Sequence, residues 1–313
     1  MNTRKDRFSE KMLQTQPSPI RKFFDLCIGH DDIISLGVGE PDFDTPWHIR
    51  DEGIYAFEHG KTFYTSNAGL KDLRTEIANY MKRSQGLNYN PDNEIIVTVG
   101  GSEAIDIGLR AIINSGDEVI ISEAEHASNV LPWFVLEKEL GIIVKYVDLD
   151  SNNEVTIENM KRVITNNTKV VSLAHVTNVI GDVRDIKSIS KLCHENNILL
   201  VVDAAQSIAH MKVDVQDMDI DFMAFSSHKM YGPTGIGVLY GKFNLLQELV
   251  PRNYGGDMNA IFMRDGYMEL KDLPSRLEAG TPNIEGVIGL SSAIDYINGI
   301  GIDKICKYEH ELR

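Results

Sequence analysis

FSSHKMYGPTGIG, residues 225–237, sets a serine, a histidine and a lysine side by side ahead of a loop with three glycines and a proline. Lysine is usually solvated, yet Lys229 follows the apolar run DFMAF and precedes another, IGVLYG. An amine held near buried strands needs a partner or a neutral form. Other apolar runs end the same way. ILLVVDAAQS places Asp203 directly after one, VVSLAHVTNVIG places His175 and Asn178 after a second, and EVIISEAEHASN places His126 just beyond a third. EIIVTVGGSEAIDIGLRAI passes through Gly100-Gly101-Ser102 into a helical pattern. A glycine turn that opens a helix presents backbone N–H groups and a positive dipole end, which suits a phosphate. The inventory is a phosphate cradle, a carboxylate, a lysine, and two or three imidazoles.

Seven apolar runs must position these groups: EIIVTV (94–99), EVIIS (118–122), IIVKYV (142–147), VVSLAHV (170–176), ILLVV (198–202), DFMAFS (221–226) and IGVLYG (236–241). Several lack polar alternation, as strands covered on both faces do. Helical patterns lie between them; DIKSISKLCHENN (185–197), for example, puts Ile186, Ile189 and Leu192 on one face. The alternation predicts an α/β domain with a mainly parallel sheet. Ligands of such sheets sit at the carboxyl ends of the strands, where the residues above fall. Taken singly, each has a plainer reading: Asp203 as a helix N-cap, the histidines as interior or surface residues, the glycine turn as an ordinary connection.

Lys+Arg number 31 and Asp+Glu 46 among 313 residues, a net charge of −15. That sign argues against nucleic acid and anionic membrane surfaces as partners. No apolar run is long enough to span a bilayer, and MNTRKDRFSEKMLQTQ lacks the apolar core of a secretory signal. Cys27, Cys193 and Cys306 are odd in number and widely spaced, which argues against disulfides and zinc and for a reducing cytoplasm. The apolar neighbours of all three predict buried structural thiols.

A lysine amine, an aspartate and a phosphate cradle are the parts needed to hold pyridoxal 5'-phosphate (PLP): the amine for the aldehyde, the carboxylate for the ring nitrogen. EHASNVLPW (125–133), HVTNVIGDV (175–183), VVDAAQSIAH (201–210), DFMAFSSHKMYGPTGIGVLYGK (221–242) and RLEAGTPN (276–283) resemble, in order, the motifs of class V aminotransferases, and within them the Suf-type cysteine desulfurases. The resemblance implies the aspartate aminotransferase-like fold type I and definite roles. Lys229 would be the Schiff-base lysine and proton carrier, Asp203 would hold the ring nitrogen, and Gln206 would reach the phenolic oxygen. His126 would stack on the ring and assist proton transfer. Gly101 and Ser102 of the glycine turn, with Ser226 and His228, would bind the phosphate. Asn178 would lie near the substrate carboxylate. Thr281 would reach the phosphate of a partner subunit, which implies a homodimer.

IISLGVGEPDFDTP (33–46), KTFYTSNAGLKDLRTEIANYM (61–81) and residues 95–121 resemble class I aminotransferases instead, with a junction near residues 122–125 and Tyr64 as a second claimant for the cross-dimer phosphate contact. The expected organisation is an N-terminal arm (1–45), a large PLP-binding domain with a seven-stranded, mostly parallel sheet (46–290), and the start of a truncated small domain (291–313). The family's persulfide-forming cysteine and carboxylate-binding arginine have no counterpart here. The resemblance implies a cysteine desulfurase, taking L-cysteine to L-alanine and passing sulfur to an acceptor protein. The alternatives are an aminotransferase or C–S β-lyase, and an inactive fragment of the PLP fold.

Overall fold

Each of the seven apolar runs forms a strand. The computed structural model describes residues 44–61, 69–86, 88–101, 104, 112–251, 253–256, 258–277, 279 and 283–312, all within the unit Pro41–Arg313. In chain order the strands are β1 (Ile95–Thr98), β2 (Glu118–Ser122), β3 (Ile143–Val147), β4 (Thr168–Ala174), β5 (Leu199–Asp203), β6 (Phe222–Ser226) and β7 (Gly237–Gly241). They form one seven-stranded sheet in the order β1-β7-β6-β5-β4-β2-β3. Strands β2 to β6 run parallel, and β7 is antiparallel to both β6 and β1. β1 therefore points the same way as β2 to β6. Their carboxyl ends share one edge with the beginning of β7, as the alternation of runs predicts.

The register explains the missing polar alternation. Ala174, Asp203 and Ala224 are aligned across β4, β5 and β6. Val170, Val201, Phe222, Leu239 and Ile96 consequently share one face, and Val171, Leu200, Met223 and Val238 the other, each inside its own buried cluster. The helices are α1 (Trp47–Glu58), α2 (Lys71–Gln85), α3 (Leu131–Leu140), α4 (Ile157–Val163), α5 (Ile186–Glu195), α6 (Phe243–Glu248), α7 (Ile284–Ile300) and α8 (Ile302–Leu312). Trp133 and Leu136 of α3 cover the first face, while Leu73 and Ile77 of α2, Ile189 of α5 and Leu290 of α7 cover the second. Truncating one such fully buried side chain to alanine costs about 2–5 kcal/mol.

The Asp185 carboxylate caps α5 by accepting from Ser188 N–H at 3.1 Å, and Cys193 joins Ile186, Ile189 and Leu192 on its buried face. α7 begins at Asn283, whose side chain accepts from Gly286 N–H at 3.0 Å. It runs unbroken past residue 290 to Gly301, where φ is +92°. A Cβ at Gly289 would lie 2.4 Å from Pro233 Cγ, so only glycine lets α7 brace the loop that follows Lys229. Cys306 departs from expectation: it is exposed. α8 leans inward through Ile305 and through Glu309, which accepts from His210 Nδ1 at 2.7 Å; Cys306 sits at the edge of that stripe. Cys27 lies outside the described residues.

A separate hairpin of β8 (Asn259–Phe262) and β9 (Met268–Leu270) has no element assigned to it from sequence. Its one signal is Asp265-Gly266, Gly266 having φ +94°. Among the described residues no helix is long and apolar enough to cross a membrane.

Candidate active site

Asp203 ends β5 on the α3 side of the sheet and is 7% exposed. Its Oδ1 accepts from Ala205 N–H at 2.9 Å, an Asx-type turn that points the carboxylate out of the strand edge. Burial pushes its pKa above the ordinary carboxylate value; the Ala205 N–H and the Lys229 charge oppose this, and the Glu125 charge adds to it. Lys229 closes a short 3₁₀ turn, Ser227–Lys229, that leaves β6 on the next strand. It is half-buried, and desolvation lowers its pKa while Asp203 pulls the other way. Acid and amine sense each other across adjacent strand ends, and burial wins over attraction at both.

His126 follows β2, two strands away from β5 in the sheet. The chain brings it back by crossing the end of β4. Glu125 accepts from Ala174 N–H at 2.7 Å, and buried Asn129 accepts from Ser172 Oγ at 2.5 Å. His126 then caps the 3₁₀ turn Ala127–Asn129, its Nδ1 accepting from Ser128 N–H at 3.2 Å. With Nδ1 an acceptor, the neutral ring carries its proton on Nε2. The ring is exposed at the edge, but surrounding protein and then the Lys229 charge lower its pKa. That shared field places His126 near Lys229.

The glycine turn closes the group. Gly100 has φ +86°, and Gly101 N–H donates to Ser226 Oγ at 2.9 Å. A Cβ on Gly101 would lie 3.0 Å from Ser226 Oγ and 3.2 Å from the Phe225 carbonyl carbon; one on Gly237 would lie 2.1 Å from Gly100 C. The turn thus rests directly on the ends of β6 and β7 beside Lys229, with no room for a side chain at Gly237 and a tight contact at Gly101. His228 is exposed in the same 3₁₀ turn, Gln206 is half-buried just after β5, and Asn178 is half-buried in the turn closed by Thr177 N–H to Asp182 O at 3.1 Å. Ser102, Thr281 and Tyr64 lie outside the described residues.

His175 follows the same edge but not the same face. Strand alternation after Ala174 turns it away from Asp203. It is 2% exposed, its Nδ1 has no hydrogen-bond partner among the described residues, and desolvation lowers its pKa to about 4. Sequence reasoning missed Glu125 and Arg184, whose side chains are 0% and 1% exposed and form an ion pair beneath His126. Glu125 could have been found as an acid three residues past a buried strand. Arg184, in the polar stretch GDVRD, carried no signal.

The class V aminotransferase model matches residues 65–313. The chain belongs to the class V aminotransferase family. The match reaches past the expected junction at 122–125, taking in the glycine turn. The chain is 43% identical over 249 residues to a probable cysteine desulfurase of Halalkalibacterium halodurans, covering 78% of this chain and 59% of that protein. It is 39% identical over 248 residues to a cysteine desulfurase of Wigglesworthia glossinidia brevipalpis, with the same shares. It thus spans about three-fifths of the length of these relatives. An apo cysteine desulfurase from Thermococcus onnurineus NA1 superposes with a TM-score of 0.72 at 32% identity, over 84% of this chain and 68% of that one. Class V aminotransferases are PLP-dependent enzymes.

Proposed function

We propose that this chain holds PLP at the carboxyl edge of its sheet and acts as a cysteine desulfurase, taking L-cysteine to L-alanine with transfer of sulfur. The juxtaposition of Asp203 and Lys229 on adjacent strands carries this reading, beside a glycine turn packed against the ends of β6 and β7. The donor set fits the group. Asp203, a buried carboxylate whose fixed donor is Ala205 N–H, suits a ring N–H. The Lys229 amine, partly desolvated, suits an aldehyde. Ser226 Oγ accepts from Gly101 N–H and has its own proton to give a phosphate, an end to which the family motifs also assign Ser102, His228 and Thr281. When bound, PLP supplies an aldehyde and a ring that takes up the electrons left at the substrate Cα.

In this reading the Lys229 amine would hold the aldehyde and would carry the proton to and from the substrate Cα. His126 covers the ring face and shares proton transfer through Nε2. Gln206 steadies the phenolic oxygen and Asn178 the substrate carboxylate. The protein works as a homodimer in a reducing cytoplasm, with an acceptor protein for the sulfur. Residues 46–290 serve as the PLP-binding domain and 291–313 as the start of a smaller one.

One observation favours a second reading, an aminotransferase or C–S β-lyase. Burial pushes the Cys193 thiol up to about 12, which makes it a poor sulfur nucleophile at neutral pH, and the exposed Cys306 lies on α8, outside the carboxyl edge of the sheet. Those reactions need no protein thiol. An absorption spectrum with added PLP, before and after borohydride, followed by mass analysis of the labelled peptide, tests the site; a label away from Lys229 overturns it. Alanine and protein-bound sulfur from cysteine support desulfuration. A new amino acid formed from alanine and a keto acid supports the second reading. Absence of any reducible yellow species marks an inactive member of the fold.

A further inference from the structure

We propose that Arg184 and Glu125 form a buried clamp that positions His126, Asn178 and Asp203, making Arg184 and Glu125 positioning residues of this site. The inference rests on the reading of those three residues given above. Glu125 receives four donors: Ser122 Oγ at 2.7 Å and Arg184 Nη1 on Oε1, Asn129 Nδ2 at 2.8 Å and Ala174 N–H at 2.7 Å on Oε2. A carboxylate accepts at both oxygens, whereas an amide would set N–H against N–H. Arg184 in turn donates through Nη2 to Ser122 Oγ at 2.7 Å and through Nη1 to the Ala174 carbonyl at 3.3 Å. The pair ties together the end of β2, the His126 loop, the end of β4 and the turn that bears Asn178. Arg184 N–H also donates to the His175 carbonyl at 2.9 Å, closing that turn. Ala174 is aligned with Asp203 on β5.

A fully desolvated ion pair is seldom the most stable filling for such a space; well-packed apolar residues do as well or better. What the pair adds is direction: two stretches of chain, 122–129 and 174–184, are fixed to each other by hydrogen bonds of set geometry. It also adds field, since the Glu125 charge reaches Asp203.

The test uses the full chain and the variants Glu125→Gln, Arg184→Met and the double Glu125→Leu/Arg184→Met. Three quantities are read: thermal unfolding, PLP affinity, and the Asp203 carboxyl titration by carbon-13 NMR without PLP, assigned by its loss in Asp203→Asn. The double variant is expected to unfold near the wild-type temperature and still bind PLP about tenfold or more weakly, the size of effect seen when groups orienting a site are removed. In the single variants the Asp203 midpoint should fall for Glu125→Gln, which leaves the Arg184 cation only its longer contact with Asp182 at 3.8 Å, and rise for Arg184→Met. A double variant that keeps both stability and PLP affinity overturns the proposal, as does an Asp203 midpoint that moves the same way in both single variants. If the single variants do not fold, the double variant decides. Failure of the wild type itself to take up PLP would fall on the proposed function, and the Asp203 titration would still report on the clamp.

Discussion

The two edges of the sheet treat buried charge in opposite ways. At the amino edge Asp221, 3% exposed, receives Leu200 N–H at 2.8 Å, His194 Nε2 at 2.9 Å and Lys242 Nζ at 2.7 Å. Asp219 shares His194 and Lys242 with it. Glu118 at the start of β2 takes Lys145 at 2.8 Å and the Thr165 hydroxyl at 2.5 Å. Burial works against these charges, yet partners win: Glu118 is held below and Lys242 above its ordinary pKa. At the carboxyl edge, outside the saturated Glu125–Arg184 pair, desolvation wins. Asp203 is raised, and Lys229, His126 and His175 are lowered. Saturated charges hold strand ends together; the under-partnered ones are left ready for a ligand that completes them.

Substitutions can break or sharpen this contrast. The largest effect belongs to Lys229→Met, which should remove about 10²- to 10⁴-fold of activity through lost proton transfer alone. The same change should leave apo stability unchanged or higher, because a disfavoured ammonium is gone; kinetics and denaturant melts together read it. Asp221→Ala should do the reverse at the other edge. It strands Lys242, His194 and the Leu200 N–H, and should lower unfolding free energy by about 3–5 kcal/mol. A melt within about 0.5 kcal/mol of wild type would erase the distinction between the edges.

His175 gives a pH test. Its folded pKa, about 4, lies below the unfolded value of about 6.5. Stability it contributes is present above pH 6.5 and is lost as pH falls towards 4, about 3 kcal/mol over that span. Unfolding curves of His175→Gln and wild type should therefore converge on acidification. Asp203 has the opposite sign. Its folded pKa is raised, so ionising it weighs on the apo fold as pH climbs out of the acid range, and Asp203→Asn should gain stability over wild type in that direction. PLP, by supplying a cationic partner, should narrow the gap. Cys306→Ser, at an exposed position outside both edges, should change stability by less than about 0.5 kcal/mol.

Much of this was legible without coordinates. Uninterrupted apolar runs such as ILLVV and DFMAF, short and alternating with helical patterns, read as strands buried on both faces, and the residues ending them mark one edge. Asp203, Ser226 and Lys229 follow from that rule, as does the glycine turn. The β8–β9 hairpin escaped it because Ile261, Phe262 and Met268 are exposed apolar residues, so no alternation announces the strands. His175 falls among the imidazoles of that edge because linear order does not reveal which face a residue one step past a strand will take.

Local pattern determined which segments became strands and helices and which residue ended each one, since period and burial act over a few neighbours. Only the folded chain decided the lateral order β1-β7-β6-β5-β4-β2-β3, and with it that Gly101, Asp203 and Lys229 meet while the chain from β2 must cross β4 to deliver His126. That crossing depends on Glu125 finding Arg184, 59 residues later. Two charges so far apart in the chain attract measurably only after the sheet between them has excluded water, and no local pattern records that event.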